Sequence, residues 1–403
     1  MNASADRLRS GSLGRAATLV HPRTMAALWA QARPRPGGDA EHLDATLSWL
    51  GHAHDAAGGQ GVSARFDVAR GWDRPYPETT GYIIPTMLHH ARISDSPGSA
   101  DRAVAMGDWL LSLQQPEGWI AGGLAREGGA GRPEVFNTGQ VLFGWLALFE
   151  EGGHERFASA AARAAQWLAS VQEADGAWAR YSLHDVPHSY YSRVAWALAR
   201  AGALLGDDGL TKAADRSVEW TCAQQRHDGW IDHMSFTPGS APLTHTVAYT
   251  IEGLLECSLV LGHEQAWDVA GSATRATERA YRDDGSGLRL GRAGALAATI
   301  RPDWTSTADY VCLTGSAQMA LCCRRIDAHD GDPELRSFGD ELLDSAKLAH
   351  PLRGPVGVRG GVPGSSPLWG EYGSFKYLNW AAKFMADVLM DRLAGALPLA
   401  RYG

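Results

Sequence analysis

Three stretches of this chain are close copies of one another: WLLSLQQPEGW at 109–119, WLASVQEADGAW at 167–178 and WTCAQQRHDGW at 220–230. Each puts a tryptophan on an amphipathic helix, then a glutamine, then an acidic residue with glycine and a second tryptophan. The leading residues Trp109, Trp167 and Trp220 recur 58 and 53 residues apart. Trp49, in TLSWLGHAHDAAGG, reads as a degenerate earlier copy. A phrase that returns at a long period means one supersecondary unit used repeatedly. No such unit can bury its apolar face alone, so the units must stack on each other.

The segments between the copies are also regular. After each phrase comes a Gly/Pro-rich loop and then a very apolar helix with a polar beginning. Six such helices are expected, starting near Glu78, Phe136, Tyr190, Thr244, Thr314 and Asn379. They are apolar on most faces, as buried helices are. A more charged helix with a single apolar stripe precedes each, as in HERFASAAARAAQWLASVQ. Gly-rich turns such as ALLGDDG end the apolar helices, as glycine commonly does. The order outer helix, long loop, inner helix, short turn, six times over, predicts an all-α (α/α)6 toroid over residues 41–396. An open helical solenoid is the alternative. DGAW and DGWIDH are expected to pair as short rim hairpins. Residues 1–40 read as an N-terminal arm and 397–403 as a tail.

Composition narrows the function classes. The net charge of −8 disfavours a nucleic-acid surface. No apolar run approaches the roughly 18 residues that span a bilayer. The start of the chain lacks a continuous apolar signal segment, which predicts a cytoplasmic protein. Five cysteines without CxxC spacing read as buried, reduced thiols. His184 and His188 have i,i+4 spacing, but Pro187 argues against a helix there, so no metal is expected. No cofactor motif is present. The oligomeric state is expected to be a monomer or homodimer.

The Gln172, Gly176, Trp178 pattern resembles the QW repeats of squalene and terpene cyclases. The helix order is similar to the α/α-toroid superfamily of those cyclases, protein prenyltransferase β subunits and six-hairpin carbohydrate enzymes. PYPETTGYIIPTM and WGEYGSFKYLNWAAKFMADVL resemble bacterial toroid proteins linked with polysaccharide or glycoside biosynthesis. The resemblance runs from about residue 42. It implies a sugar or glycoside substrate. The aspartate-rich DxDD acid motif of terpene cyclases is absent, which argues against cation-initiated cyclisation.

In such a toroid all inner helices start at one end, and their unsatisfied N–H groups favour polar ligands there. The candidate site residues follow from that geometry. Glu78, Tyr82, His188, Tyr191, His245 and Asp309 are the candidates for proton transfer. Asn137, Gln140, Tyr190, Arg193, Tyr249, Trp304, Tyr310, Trp369, Glu371, Tyr372, Tyr377, Asn379 and Lys383 are the candidates for substrate binding. Trp and Tyr stack on sugar rings, and Tyr, His and Glu move protons. Tyr191 or His188 as base, Arg193 and Asn137 as neutralisers and Tyr82 or His245 as acid would suit a uronate epimerase or lyase. Hydrolysis needs two carboxyl groups instead, and Glu78, Asp309 and Glu371 are available. A terpenoid cyclase-like or isomerising enzyme and a non-catalytic glycan-binding protein are the remaining alternatives.

Overall fold

The computed structural model describes residues 37–394 except 95, 127–130 and 292–293, together with a few positions between 22 and 28. The expected arm and tail lie largely outside the described residues. From residue 37 onward, twelve α-helices among the described residues form six hairpins. The outer helices are α1 (Asp39–Ala56), α3 (Pro97–Leu113), α5 (Glu155–Ser170), α7 (Asp208–Cys222), α9 (Glu264–Arg282) and α11 (Pro333–Ala349). The inner helices are α2 (Pro77–Ser94), α4 (Val135–Gly152), α6 (Ser192–Leu205), α8 (Thr244–Leu261), α10 (Leu313–Asp330) and α12 (Asn379–Ala394). All six begin within two residues of the expected starts. Each inner helix packs on the next, and α12 packs back on α1 and α2. The ring is therefore a closed (α/α)6 toroid and not a solenoid.

Closure is also chemical. Arg392, near the end of α12, and Lys347 of α11 both pair with Asp39 at the start of α1, at 2.5 and 2.7 Å. On the rim, β1 (Arg65–Asp67) from the first hairpin pairs antiparallel with β2 (Gly71–Trp72) and with a strand from the sixth, Lys376–Leu378, with Phe66 opposite Tyr377. The other described strands are two-residue pairs, 289–290 with 295–296 and 311–312 with 365–366. The expected rim hairpins are not strands. DGAW is a turn, and DGWIDH contributes one bridge, Gln225 to Ile231.

The repeated phrase has a mechanical role. Gln114 Nε2 donates to Gly118 O of its own turn at 3.0 Å and to Ala160 O on the next outer helix at 2.8 Å. Gln172 does the same with Gly176 O at 3.0 Å and Ala213 O at 2.8 Å. Gln225 repeats it with Gly229 and Val269. One side chain thus closes a loop and staples two neighbouring repeats. The glycine is required by its backbone: at Gly176 φ is 92°, and a Cβ would sit 2.3 Å from Arg216 O.

Pro85 lies inside α2 without ending it. α2 begins at Pro77, where proline suits a first turn. Pro85 has no N–H for the Gly81 carbonyl. That carbonyl instead faces α4 so closely that a Cβ on Gly144 would lie 2.6 Å from it. Among the described residues no helix is long and apolar enough to cross a membrane. All five cysteines are buried and free. Burial pushes the Cys312 thiol up to about 12, which disfavours the reactive thiolate.

Candidate active site

The inner-helix N-termini surround a narrow pocket. Seven residues named from the sequence line it: Glu78 and Tyr82 of α2, Asn137 of α4, Tyr190 and Tyr191 from the 3₁₀ turn before α6, and His245 and Tyr249 of α8. Glu134, Phe136, Leu183, Phe236 and Trp380 complete the wall. Phe136 is the hub of the aromatic lining, with ring centroids 5.4–5.5 Å from Tyr190, Tyr191 and Tyr249. The His245 ring lies against Tyr249 at 4.2 Å.

Two carboxyl groups share this aromatic setting. The Tyr76 hydroxyl donates to Glu78 Oε2. Burial raises the Glu78 carboxyl above its ordinary value despite that bond. The Tyr191 hydroxyl donates to Glu134 Oε1 at 3.1 Å while accepting from Leu183 N at 3.0 Å. Burial pushes the Glu134 carboxyl up to about 7, and the Glu78 carboxyl adds to the rise. A carboxyl in that range exchanges protons near neutral pH. Burial also lifts the Tyr82, Tyr190 and Tyr191 phenols well above their usual range. In this setting the Tyr191 hydroxyl is placed as a donor to Glu134.

His245 is fully enclosed, and burial brings its imidazole down to about 3. It is neutral, with Nδ1 3.0 Å from Gln318 Oε1. His188 is not in the wall. Its two ring nitrogens face Ser235 O at 3.0 Å and Leu183 O at 2.8 Å, so it ties two rim loops together behind Tyr190 and Tyr191.

The other candidates divide between a layer below the pocket and the rim. Arg193 is fully buried, donating from Nη1 to Glu252 and from Nε to Gln140 Oε1 at 3.1 Å. Lys383 pairs with Asp387 at 2.7 Å. Asn379 Nδ2 donates to Ser63 O and Thr79 Oγ1, a structural clasp. Tyr377 is buried in the rim sheet. Tyr372 accepts from Trp380 Nε1 at 2.9 Å and so orients a pocket residue. Tyr310 is buried beside Ala298 and Cys312, and Trp304 packs edge-on against Trp230. Asp309, Trp369 and Glu371 are exposed on the rim. Asp309 and Glu371 do not line the pocket, and its second carboxyl is that of Glu134. In the sequence, Pro133–Glu134 precedes the second inner helix as Pro75–Tyr76 precedes the first, with an acid in place of the phenol. Leu183 and Phe236 come from irregular loops and carry no periodic signal. Among the described residues there is no group of three His, Cys, Asp or Glu side chains that could hold a metal ion.

The fold is similar to that of known proteins. Residues 65–262 match the family model described as the squalene-hopene cyclase C-terminal domain. The structure is similar to that of cellobiose 2-epimerase from Bacillus thermoamylovorans B4167, with a TM-score of 0.69, 9% identity, and coverage of 87% of this chain and 97% of that one. It is similar to unsaturated glucuronyl hydrolase from Bacillus sp. GL1, with a TM-score of 0.67, 14% identity, and coverage of 91% and 99%. It is also similar to an alpha-amylase from Clostridium perfringens, with a TM-score of 0.60, 11% identity, and coverage of 88% and 99%. No curated protein matches the chain in sequence. The protein is an α/α toroid, as the resemblance implied.

Proposed function

We propose that the chain is a carbohydrate-directed enzyme whose proton transfer is carried by the Glu78–Glu134 pair. The observation that carries this reading is two carboxyls in one aromatic pocket, each raised, with Glu134 at about 7. Two interacting acids in one site hold one proton between them near neutral pH. Glu134 then protonates the leaving oxygen of a glycosidic bond. Glu78, its ionised form favoured by the Tyr76 hydroxyl, takes a proton from water or meets the positive charge that develops at the ring. Phe136, Tyr190 and Trp380 supply faces for stacking on a sugar ring.

The epimerase or lyase chemistry expected from the sequence needs a base for a C–H proton. His245 is the imidazole in the pocket, and at about 3 it accepts a hydrogen bond better than it removes a carbon-bound proton. The similarity to a cyclase domain and the aromatic wall favour a second reading, an isoprenoid-cyclising enzyme. Against it, a carboxyl at about 7 is too weak an acid to protonate an alkene. Incubation with a panel of glycosides in ¹⁸O-labelled, deuterated water tests all three. Cleavage with ¹⁸O in the new hemiacetal, and no carbon-bound deuterium in recovered substrate, is expected. Deuterium exchange at carbon without cleavage would transfer the assignment to the epimerase class.

A further inference from the structure

Resting on the glycosidic reading, we propose that the pocket takes an uncharged, hydroxyl-rich ligand and rejects its carboxylated counterpart. The argument starts one layer below. Arg193 Nη1 and Gln318 Nε2 both donate to the same oxygen of Glu252. Burial alone would raise this carboxyl, but Arg193 and Lys383 beside it hold it below its ordinary value. An ionised carboxylate offers only lone pairs, so the Gln318 amide must turn its NH₂ toward Glu252 and its oxygen toward His245. That oxygen is 3.0 Å from His245 Nδ1 and can only accept. The proton of the neutral imidazole is therefore on Nδ1, and Nε2 is left as a bare acceptor. The chain Arg193, Glu252, Gln318 fixes a tautomer in the pocket wall.

Other wall residues add acceptors, while the Tyr82, Tyr190 and Tyr249 hydroxyls can donate as well as accept. Asn137 Nδ2 donates one of its two N–H groups to Ala121 O at 3.1 Å, and its oxygen is available to accept. The Tyr76 and Tyr191 hydroxyls are used on the two glutamates. None of the pocket-lining residues is lysine or arginine. The nearby cations are paired in charge below it, Arg193 with Glu252 and Lys383 with Asp387, with Arg193 Nη2 left without a hydrogen-bond partner. A ligand hydroxyl entering here finds acceptors on several sides and aromatic faces between them. Among the described lining residues, a ligand carboxylate finds two glutamates and no lysine or arginine.

The test is binding, measured by calorimetry and tryptophan fluorescence on the intact chain at pH 8. Three matched pairs serve as probes: methyl β-glucoside, methyl β-galactoside and cellobiose, each against its C6-oxidised uronate. At least one neutral member is expected to bind, with its uronate at least tenfold weaker. Glu134→Gln, checked for folding by its melting curve, should narrow that ratio to under threefold by removing one negative charge. A uronate that binds as tightly as its neutral partner overturns the inference and leaves the glycosidic reading standing. Failure of all six to bind overturns both. A ¹⁵N spectrum showing His245 protonated at Nε2 would overturn the tautomer argument independently of any sugar.

Discussion

The starts of the first two inner helices are built on one frame and then differ at two positions. Thr80 Oγ1 accepts from Val62 N at 3.0 Å and donates to Tyr76 O at 2.8 Å. Thr138 Oγ1 accepts from Ile120 N at 3.0 Å and donates to Glu134 O at 2.8 Å. In this register Tyr76 corresponds to Glu134, and Glu78 corresponds to Phe136. The acid and the aromatic residue have exchanged places between the copies. The threonine frame holds each loop against its helix, and the exchanged pair sets two carboxyls in one pocket with an aromatic ring near each. What the repeat keeps constant is structural, and what it varies is the candidate chemistry.

The largest expected effect breaks the exchanged pair. Glu134→Gln keeps the shape and the bond from Tyr191 but cannot give up a proton. A loss of about 10²- to 10⁴-fold in kcat/KM is expected, as for removal of a general acid. Steady-state kinetics on any glycoside that the wild type cleaves would check it. A loss under threefold would remove Glu134 from the mechanism.

The same substitution should change stability in a pH-dependent way. The folded carboxyl sits at about 7, above an unfolded value of about 4.3. Between those values the native state holds more protons than the unfolded chain, so stability falls as pH rises through that window. Glu134→Gln removes this loss. The variant should be more stable than wild type by about 3–4 kcal/mol at pH 8, and nearly equal to it at pH 4. Urea melts at both pH values would show it. An equal difference at both would assign the effect to packing.

The two tyrosine donors should separate the roles of the two acids. Tyr76→Phe removes the bond that favours ionised Glu78, so the acidic limb of the pH–rate profile should move upward. A rate loss of roughly tenfold near neutral pH is expected. Tyr191→Phe raises Glu134 further, so the alkaline limb should move upward instead. If both variants move the same limb, the assignment of acid and base is wrong.

The fold was legible because its signals are periodic. The Trp–Gln–Gly–Trp phrase, the apolar inner helices and the glycines ending them gave six hairpins, and the helix starts followed within two residues. The candidate site was legible only in part. Glu78, Tyr82, Asn137, His245 and Tyr249 lie in the first turns of inner helices, where register predicts a pocket-facing position. Glu134 was missed because its acid sits two residues earlier in the frame than Glu78, where the first repeat carries a tyrosine. Asp309 and Glu371 were named on residue type, but their loops turn outward, a direction that depends on tertiary contacts and not on local pattern. Arg193 and Lys383 are charged residues near helix starts whose partners, Glu252 and Asp387, lie one layer below. In sequence, nothing separates such a residue from a ligand-binding cation.

The smallest effect tests the frame itself. Thr80→Val and Thr138→Val each remove the acceptor for a buried backbone N–H, that of Val62 or Ile120. The methyl that replaces the hydroxyl fits the same space but leaves the donor unpaired, at a cost of about 1–2 kcal/mol. Because the two threonines make the same pair of bonds in the same register, the two costs should agree within about 0.5 kcal/mol. The sites use separate partners, so the costs should add in the double variant. Neither hydroxyl touches the pocket, so kcat should change by less than about twofold. Chemical denaturation of both single variants and the double variant measures this. A clear inequality, or a rate loss confined to one of them, would mean that the two helix starts are not equivalent and that the alignment of Tyr76 with Glu134 is accidental.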